Sequence, residues 1–364
     1  MKMRNEELLF FRRGLLEWNK NLNQRKMPWK GETDPYKIWI SEIILQQTRV
    51  EQGWDYYLRF ISAYPNVSAL AAAPDGEVFK LWEGLGYYSR CRNLLAAARQ
   101  VMDTHAGVFP TDYAQVLLLK GIGPYTAAAI ASFAFGLPYA VVDGNVIRVL
   151  ARFFGIQTPF DVTDGRKLFA NLAQQVIDQK QPAAYNQAIM DFGATICKPA
   201  DPLCSSCPFG SHCVAFAKDQ VGLLPVKSKK LVRKTRWFCY WVIRSGDAVL
   251  FRERRGKDIW QHLNEFYLLE DKDAFEWDSQ EILDAAFSVF KASPQIIQKS
   301  PVLVQQLTHQ TIRAQFIELE IPGTECNKPG GYQWVRLDEI KKLPFPKIIN
   351  EFMENSKMAP ALLF

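Results

Sequence analysis

The chain has 364 residues, of which 48% are hydrophobic and 23% are charged. This length favours two domains, and the apolar content suffices for packed cores, which excludes a disordered chain. No apolar run approaches the roughly 18 residues that a membrane span needs, and the N-terminus lacks the pattern of a signal peptide. We therefore expect a cytoplasmic, reducing location, where the seven cysteines do not form disulfides.

The formal net charge of +6 is unevenly distributed along the chain. Residues 1–217 carry 22 basic and 19 acidic side chains, and residues 237–364 carry 15 and 18. The short segment 218–236 carries 7 basic side chains and a single acidic one. Such a segment is either a solvated linker or a contact for a polyanion, and the basic N-terminal half beside it adds weight to the polyanion.

Residues 1–217 show the apolar spacing of helices. Apolar side chains recur every three or four residues, and short breaks rich in Gly, Pro and Asp separate the segments. The predicted helices are EELLFFRRGLLEW, YKIWISEIILQQ, RNLLAAARQVM, YTAAAIASFAF, VIRVLARFFG and YNQAIMDFGATI. The sequence therefore predicts a mostly α-helical N-terminal domain.

The pattern changes after residue 236. RWFCYWVIRSGDAVLFRERR contains two β-rich runs joined by Ser-Gly-Asp, which predicts a β-hairpin. Three further segments have the pattern of β-strands, namely NEFYLLE, AQFIELEI and YQWVRLDEI. One segment, SQEILDAAFSVF, has helical spacing. We expect a helical domain over 1–217, a basic connector over 218–236 and an α+β domain over 237–364.

Four cysteines lie in one short polar stretch, CKPADPLCSSCPFGSHC, with the spacing Cys-x6-Cys-x2-Cys-x5-Cys. Four thiolates around one centre suit zinc or a [4Fe–4S] cluster, since both accept tetrahedral sulfur ligands. Zinc sites commonly use two short CxxC-type pairs, so a single CxxC with longer flanking gaps favours iron–sulfur. The candidate ligands are Cys197, Cys204, Cys207 and Cys213. The remaining cysteines, Cys91, Cys239 and Cys326, are expected to be ordinary core or surface residues.

LLLKGIGPYTAAA places Gly121 and Gly123 just before a predicted helix that begins near Pro124. The glycines allow a tight turn, and Ile122 would pack inward. Backbone N–H groups at the helix start would then face outward, where a phosphate could bind. A packing turn between two helices explains the same motif equally well.

Two carboxylates are candidates for acid–base chemistry. Glu42 shares a helical face with bulky apolar residues and has no basic partner three or four residues away, so burial would raise its pKa. Asp143, in VVDGN, is either a helix N-cap or a carboxylate facing a cavity. A protonated acid beside an ionised carboxylate is the pair that glycosidic cleavage uses.

Together these features resemble the helix-hairpin-helix DNA glycosylases that carry a [4Fe–4S] cluster. Within that superfamily, PWKGETDPYKIWISEIILQQTRV and LWEGLGYYSRCRNLLAAA resemble the adenine DNA glycosylases of the MutY type. Residues 237–364 resemble the Nudix-like domain of that family. They lack the hydrolase motif REx2EExG, so this domain should bind rather than hydrolyse.

The resemblance implies removal of adenine mispaired with 8-oxoguanine or guanine in double-stranded DNA. Glu42 would protonate the adenine ring, Asp143 would stabilise an oxocarbenium ion, and Tyr125 and Asn145 would support Asp143. The implied contact residues are Arg25, Trp29, Leu45 and Gln187 around adenine, Gln47 and Tyr87 at the emptied stack, and Thr308 and His309 at 8-oxoguanine. The family often has an aromatic residue where this chain has Leu307. The cluster would be structural, folding a loop that presents basic residues to DNA.

Endonuclease III-type relatives carry a lysine directly after the hairpin, and its amine cuts the strand through a Schiff base. This chain has Tyr125 there, and Lys120 precedes Gly121 on the expected phosphate side. The resemblance therefore implies a monofunctional enzyme. A bifunctional glycosylase/lyase and a non-catalytic, metal-containing DNA-binding protein remain the alternatives. We also expect a monomer that is located in the bacterial cytoplasm and associated with the nucleoid. Its connector would contact other repair proteins.

Overall fold

The computed structural model describes residues 5–228, 233–324 and 326–356. These residues form two compact units, one from 5–72 and 92–228, the other from 73–91 and 233–356. Part of the predicted connector, 229–232, lies outside the described residues. The segment 73–91 belongs by its contacts to the second unit, although its sequence continues the helical pattern of the first.

The N-terminal part of the chain is helical, as the sequence predicts. Its helices are α1 (Asn5–Asn21), α2 (Pro35–Leu45), α3 (Val50–Ala63), α4 (Val67–Ala72), α5 (Asp75–Trp82), α6 (Tyr88–His105), α7 (Tyr113–Leu117), α8 (Pro124–Phe135), α9 (Gly144–Phe154), α10 (Thr163–Val176), α11 (Pro182–Thr195) and α12 (Val214–Ala217). Two 3-10 turns, Cys204–Ser206 and Gly210–His212, lie in the cysteine stretch. Each helix among the described residues is too short or too polar to span a bilayer.

Local sequence explains why the helices that carry the site begin and end where they do. Helix α2 begins at Pro35, and the Asp34 carboxylate caps it by accepting from the Tyr36 N–H at 2.9 Å. Helix α9 begins after Asp143 and ends at Gly155, whose φ of +66° suits glycine. These caps fix Glu42 within α2 and Asp143 at the start of α9.

An aromatic cluster forms part of the core of the first unit and joins the cysteine stretch to the helices. The Phe209 ring lies 5.1 Å from that of Phe11, 5.6 Å from that of Phe153 and 5.3 Å from that of Phe192, measured between ring centroids. Gly14 permits the approach of α1, because a Cβ there would lie 2.6 Å from the Phe209 ring. The cysteine stretch is therefore anchored by its one buried aromatic residue.

The second unit is built on a mixed eight-stranded sheet. Its strands are β1 (Lys234–Ser245), β2 (Ala248–Glu253), β3 (Asn264–Glu265), β4 (Tyr267–Asp271), β5 (Gln295–Lys299), β6 (Leu303–Gln306), β7 (Gln310–Glu320) and β8 (Gln333–Arg336). The other elements of its C-terminal part are helices α13 (Ser279–Phe290) and α14 (Lys347–Asn355) and a 3-10 turn, Ile340–Lys342. The order is β3-β2-β1-β7-β5, with β4 on β1, β6 on β7 and β8 on β2.

Strand β1 organises this sheet, pairing parallel with β7 and antiparallel with β2 and β4. The β1–β2 hairpin turns at Gly246, with φ of +55°, as the Ser-Gly-Asp signal predicts. One face packs on α13 through residues such as Trp241 and Phe290. The predicted fold class, a helical domain followed by an α+β domain, is confirmed.

Candidate active site

All eight residues that the resemblance implies for catalysis and adenine binding line one cavity of about 450 Å³ in the first unit. They come from the segment before α2, from α2 itself, and from the starts of α8 and α9 and the middle of α11. The residues are Arg25, Trp29, Glu42, Leu45, Tyr125, Asp143, Asn145 and Gln187. The volume and the mixed apolar and polar lining are those of a small-molecule site.

Glu42 is buried in the wall of this cavity, with 7% of its surface exposed. Burial raises the pKa of its carboxyl to about 7, and a hydrogen bond with Tyr125 opposes the rise while the nearby Asp143 adds to it. The direction is the one that the apolar face of α2 predicts. A carboxyl with this pKa is available as a proton donor near neutral pH.

Asp143 is both a helix cap and part of the cavity wall. Its Oδ1 accepts from the Val146 N–H at 2.7 Å, which caps α9, and its Oδ2 accepts from Asn145 Nδ2 at 2.7 Å. Burial raises the pKa of Asp143, while these hydrogen bonds and the charge of Arg148 oppose the rise by favouring the anion. The two interpretations of VVDGN are therefore compatible.

A polar cluster at one side of the cavity contains residues that the sequence analysis did not single out. Lys30 lines the cavity and donates from Nζ to Asp191 Oδ2 at 2.9 Å. Asp191 also accepts from Arg25 Nη1 at 2.9 Å. An aspartate four residues after Gln187 on a buried helical face was a usable signal, since the two side chains must be neighbours.

Three predicted DNA contacts of the first unit lie outside the cavity lining. Gly121 has φ of +75°, and a Cβ there would lie 2.4 Å from that of Asn93, so this turn requires glycine. Gly123 has an ordinary φ of −97°, and Ile122 between them is buried. Gln47 is exposed with φ of +57°, a strained conformation of the kind found at functional sites.

In the second unit, Tyr87 lies at the start of α6 after Gly86, and its own φ is +46°. Its hydroxyl is hydrogen-bonded to Thr308 Oγ1. Thr308 and the exposed His309 form the turn between β6 and β7, which the Leu307 N–H closes by donating to the Gln310 carbonyl at 2.8 Å. Two residues predicted separately to contact DNA therefore touch each other.

The four cysteines surround a second, smaller cavity of about 30 Å³. Among the described residues, no three His, Cys, Asp or Glu side chains converge on a point that could hold one metal ion. The thiols stand around the cavity beside Arg152, which is 4% exposed.

The environment of Arg152 tests whether these residues fit a cluster. The guanidinium donates to the Leu224 and Lys198 carbonyls at 3.1 and 2.7 Å and to Cys197 Sγ at 3.5 Å. It has no carboxylate partner among the described residues. A buried cation needs a counter-charge, and thiolates around an iron–sulfur centre would supply it. The donor set therefore fits a thiolate-bound centre, as a [4Fe–4S] cluster would be.

Two family models match the chain. "HhH-GPD superfamily base excision DNA repair protein" matches residues 40–175, and "NUDIX domain" matches residues 239–355. An adenine DNA glycosylase of Buchnera aphidicola subsp. Acyrthosiphon pisum (strain APS) is 31% identical over 94% of this chain and 96% of its own length. The chain belongs to the adenine DNA glycosylase family.

Other members of the adenine DNA glycosylase family are also similar. The protein of Buchnera aphidicola subsp. Baizongia pistaciae (strain Bp) is 33% identical over 74% of this chain and 77% of its own length. The Mus musculus protein is 44% identical over 59% of this chain and 43% of its own length. Membership confirms that the protein is a DNA glycosylase that acts in base excision repair of adenine mispairs, with DNA as its partner.

Solved structures support the fold of the helical part. A thermostable thymine-DNA glycosylase has a TM-score of 0.55 and 31% identity, covering 59% of this chain and 98% of that protein. A trapped endonuclease III–DNA covalent intermediate has a TM-score of 0.51 at 20% identity, covering 60% of this chain and 99% of that protein. At that identity the second likeness concerns the fold alone.

Proposed function

We propose that this adenine DNA glycosylase removes adenine opposite 8-oxoguanine or guanine by hydrolysis of the N-glycosidic bond and leaves the strand intact. The observation that carries the proposal is the pairing of Glu42 with Asp143 in one cavity. Burial gives the Glu42 carboxyl a pKa of about 7, and Asp143 is held by three hydrogen-bond donors at the start of α9.

The two carboxyl groups divide the chemistry. Glu42 transfers its proton to a ring nitrogen of the extruded adenine, so that the base takes the electron pair of the glycosidic bond and leaves as a neutral molecule. The sugar becomes an oxocarbenium ion, which the Asp143 carboxylate stabilises until water adds to it and gives up a proton to the Glu42 carboxylate, restoring the acid. Tyr125 is hydrogen-bonded to Glu42, and Asn145 holds Asp143 in place through a hydrogen bond to its carboxylate.

Base extrusion requires a pocket for adenine and a filler for the stack that it leaves. Arg25, Trp29, Leu45 and Gln187 hold the base in the 450 Å³ cavity. Gln47 and Tyr87 fill the vacated stack, and the phosphates bind at Gly121 and Gly123. The left-handed backbone of both Gln47 and Tyr87 supports this role, because strain of this kind accompanies function.

The C-terminal domain recognises 8-oxoguanine through Thr308 and His309. The hydrogen bond between Tyr87 and Thr308 supports this assignment, because it joins the stack-filling residue to the recognition turn. The proposed domains are the helical one over 1–217, the connector over 218–236 and the Nudix-like one over 237–364.

The amines near the cavity support a monofunctional reaction. Tyr125 occupies the position of the Schiff-base lysine, and Lys30 is the lysine in the cavity lining. The Lys30 amine is engaged by the Asp191 carboxylate and by the Arg25 carbonyl, each at 2.9 Å. It is therefore not free to attack the sugar.

A structural [4Fe–4S] cluster held by Cys197, Cys204, Cys207 and Cys213 is part of the proposal. It would fix the fold of a stretch that has only two 3-10 turns of its own. A purified protein that is brown and contains iron supports the cluster, whereas a colourless protein with zinc contradicts it.

The deciding assay uses a duplex with one adenine opposite 8-oxoguanine, treated with or without alkali after reaction. We expect strand cleavage only after alkali, because the enzyme leaves an abasic site. Borohydride trapping at a yield matching excision would favour the bifunctional lyase instead.

Glu42→Gln separates catalysis from binding. We expect excision to collapse by roughly 10²-fold or more while duplex affinity is retained, since the amide cannot donate a proton in the same way. A wild-type protein that binds the duplex and excises nothing would instead be a non-catalytic DNA-binding protein. Excision that survives Glu42→Gln would remove this residue from the mechanism.

A further inference from the structure

The Asp191 carboxylate accepts four side-chain hydrogen bonds beside the active-site cavity, although its own side chain has 0% exposed surface. Oδ1 accepts from Arg25 Nη1 at 2.9 Å and from Gln187 Nε2 at 3.0 Å. Oδ2 accepts from Lys30 Nζ at 2.9 Å and from Asn23 Nδ2 at 2.8 Å. Three of these donors, Arg25, Lys30 and Gln187, line the cavity.

This arrangement decides which way the Gln187 amide points. A carboxylate held between a guanidinium and an ammonium group accepts hydrogen bonds and donates none. Gln187 must therefore turn its NH₂ group toward Asp191, as the 3.0 Å contact shows. Its carbonyl oxygen is left for a molecule in the cavity.

We propose that Asp191 is a positioning residue that sets the purine selectivity of the cavity by fixing the orientation of the Gln187 amide. The inference rests on the proposed function and identifies the group of the base that the cavity recognises. The carbonyl oxygen of Gln187 accepts from the 6-amino group of adenine. A 6-oxopurine such as hypoxanthine presents an acceptor there, which leaves two oxygens facing each other without a proton.

Asp191→Asn tests the inference because the new side chain has nearly the same shape but both a donor and an acceptor. The Gln187 amide can then adopt either orientation. Single-turnover excision of adenine and of hypoxanthine is measured opposite the same partner base. We expect the ratio of the two rate constants to fall by about tenfold or more. An equal loss on both substrates, with the ratio unchanged, would assign Asp191 a merely structural role and overturn the proposal.

A double variant, Asp191→Asn with Gln187→Glu, provides a rescue and conserves the net charge beside Arg25 and Lys30. The introduced carboxylate can only accept, so it presents an acceptor to the purine without help from position 191. We expect the preference for adenine to return. A folded double variant that excises both bases equally would contradict the proposal, and this outcome is decisive even if the single variant fails to fold.

Asp178→Asn is the matched control, since it makes the same charge change just before α11. Asp178 Oδ1 accepts from the Gln181 N–H at 2.8 Å and does not line the cavity. Its rate ratio should equal that of the wild type. Failure of the wild type to excise adenine would contradict the proposed function. Normal adenine excision with an unchanged ratio in Asp191→Asn would contradict this inference alone.

Discussion

Glu42 should make the stability of the protein depend on pH. A glutamate in the unfolded chain ionises near pH 4.5, whereas burial raises the pKa of Glu42 in the folded protein to about 7. Stability that is present below pH 4.5 is therefore lost as the pH rises through 7, by about 3 kcal/mol in full. Glu42→Gln removes this dependence, because its amide stays neutral. We expect its advantage in unfolding free energy over the wild type to grow between pH 5 and pH 8.

Glu32→Gln is the control for this measurement because Glu32 titrates below this pH range. Hydrogen bonds from the Asp34 and Thr33 N–H groups and the charge of Lys37 outweigh burial and lower the pKa of Glu32. Glu32 therefore contributes stability that is present above pH 4.5 and is lost as the pH falls through its lowered pKa. Between pH 5 and pH 8 the difference in unfolding free energy between Glu32→Gln and the wild type should therefore stay nearly constant. Denaturant titrations at both pH values measure the two differences. A constant difference for Glu42→Gln would contradict the buried, neutral carboxyl.

Asp143→Asn separates the two roles of this residue. Asparagine caps a helix about as well as aspartate, so the bond to the Val146 N–H can persist and stability should change by less than about 1 kcal/mol. The negative charge that stabilises the oxocarbenium ion is lost, and excision should fall by roughly 10²–10³-fold. Thermal melts and single-turnover excision measure the two effects. A strongly destabilised variant with normal excision per folded molecule would show that Asp143 acts only as a helix cap.

At the scale of residues, the sequence shows local environments but not distant partners. The burial of Glu42 was predictable, because its neighbours one helical turn away are apolar. The cluster around Asp191 was not, because Lys30 is separated from it by 161 positions and meets it only in the folded chain. The same limit hid the Tyr87–Thr308 contact, which spans 221 positions.

Packing between α11 and the start of α9 should depend on Gly193. A Cβ there would lie 2.7 Å from that of Asn145 and 3.1 Å from the Asn145 carbonyl oxygen. We expect Gly193→Ala to destabilise the protein by about 1–3 kcal/mol. Displacing Asn145 also disturbs its bond to Asp143, so excision should fall by roughly 10-fold or more.

Gly76→Ala, within α5, is the control for this substitution. A Cβ at Gly76 meets nothing within 4 Å, so alanine should be neutral or stabilising by up to about 1 kcal/mol. Chemical denaturation and excision assays are compared for both variants. Equal effects of the two substitutions would show that helix propensity, rather than close packing, determines the effect of Gly193→Ala on stability.

Elements with a complete local pattern were predictable, and elements defined by packing were not. Helices α8 and α9 have glycine or aspartate at their starts, apolar interiors and left-handed glycines at their ends. Helix α10 was missed, because its start lacks a capping side chain and its polar residues obscure the period. Strands β5 and β6 were also missed, since both are short and pair with β7 at the side of the sheet with largely exposed residues.

At the scale of the molecule, the division of the chain into units differs from the order of its sequence. Residues 73–91 follow the helical pattern, yet their contacts are with the C-terminal residues. The Phe345 N–H donates to Glu83 Oε1 at 2.8 Å, and Lys80 Nζ donates to the Leu343 carbonyl at 3.2 Å. Composition shifts cannot reveal such an exchange, because it depends on contacts between segments about 260 positions apart.

The basic connector should contribute to DNA affinity without contributing to chemistry. Neutralised phosphates release counterions, so the affinity of a basic segment for duplex falls with salt, by a slope of about 0.9 per contact on logarithmic axes. We expect the triple variant Lys227→Gln, Lys229→Gln and Lys230→Gln to bind more weakly, with a shallower slope. Its single-turnover excision at saturating protein should equal that of the wild type, because the cavity is unchanged.

A variant that loses the same number of positive charges from the acidic C-terminal domain is the control for the salt slope. Lys272, Lys328 and Lys341 are exposed there, and their replacement by glutamine should alter the salt slope less. Binding isotherms over a range of salt concentrations give both slopes. If the connector variant keeps the wild-type slope, Lys227, Lys229 and Lys230 make no contact with phosphate, and this part of the connector is a solvated linker. If both variants show the same decrease in duplex affinity and in salt slope, net charge alone attracts the duplex. The connector then makes no particular contribution to binding.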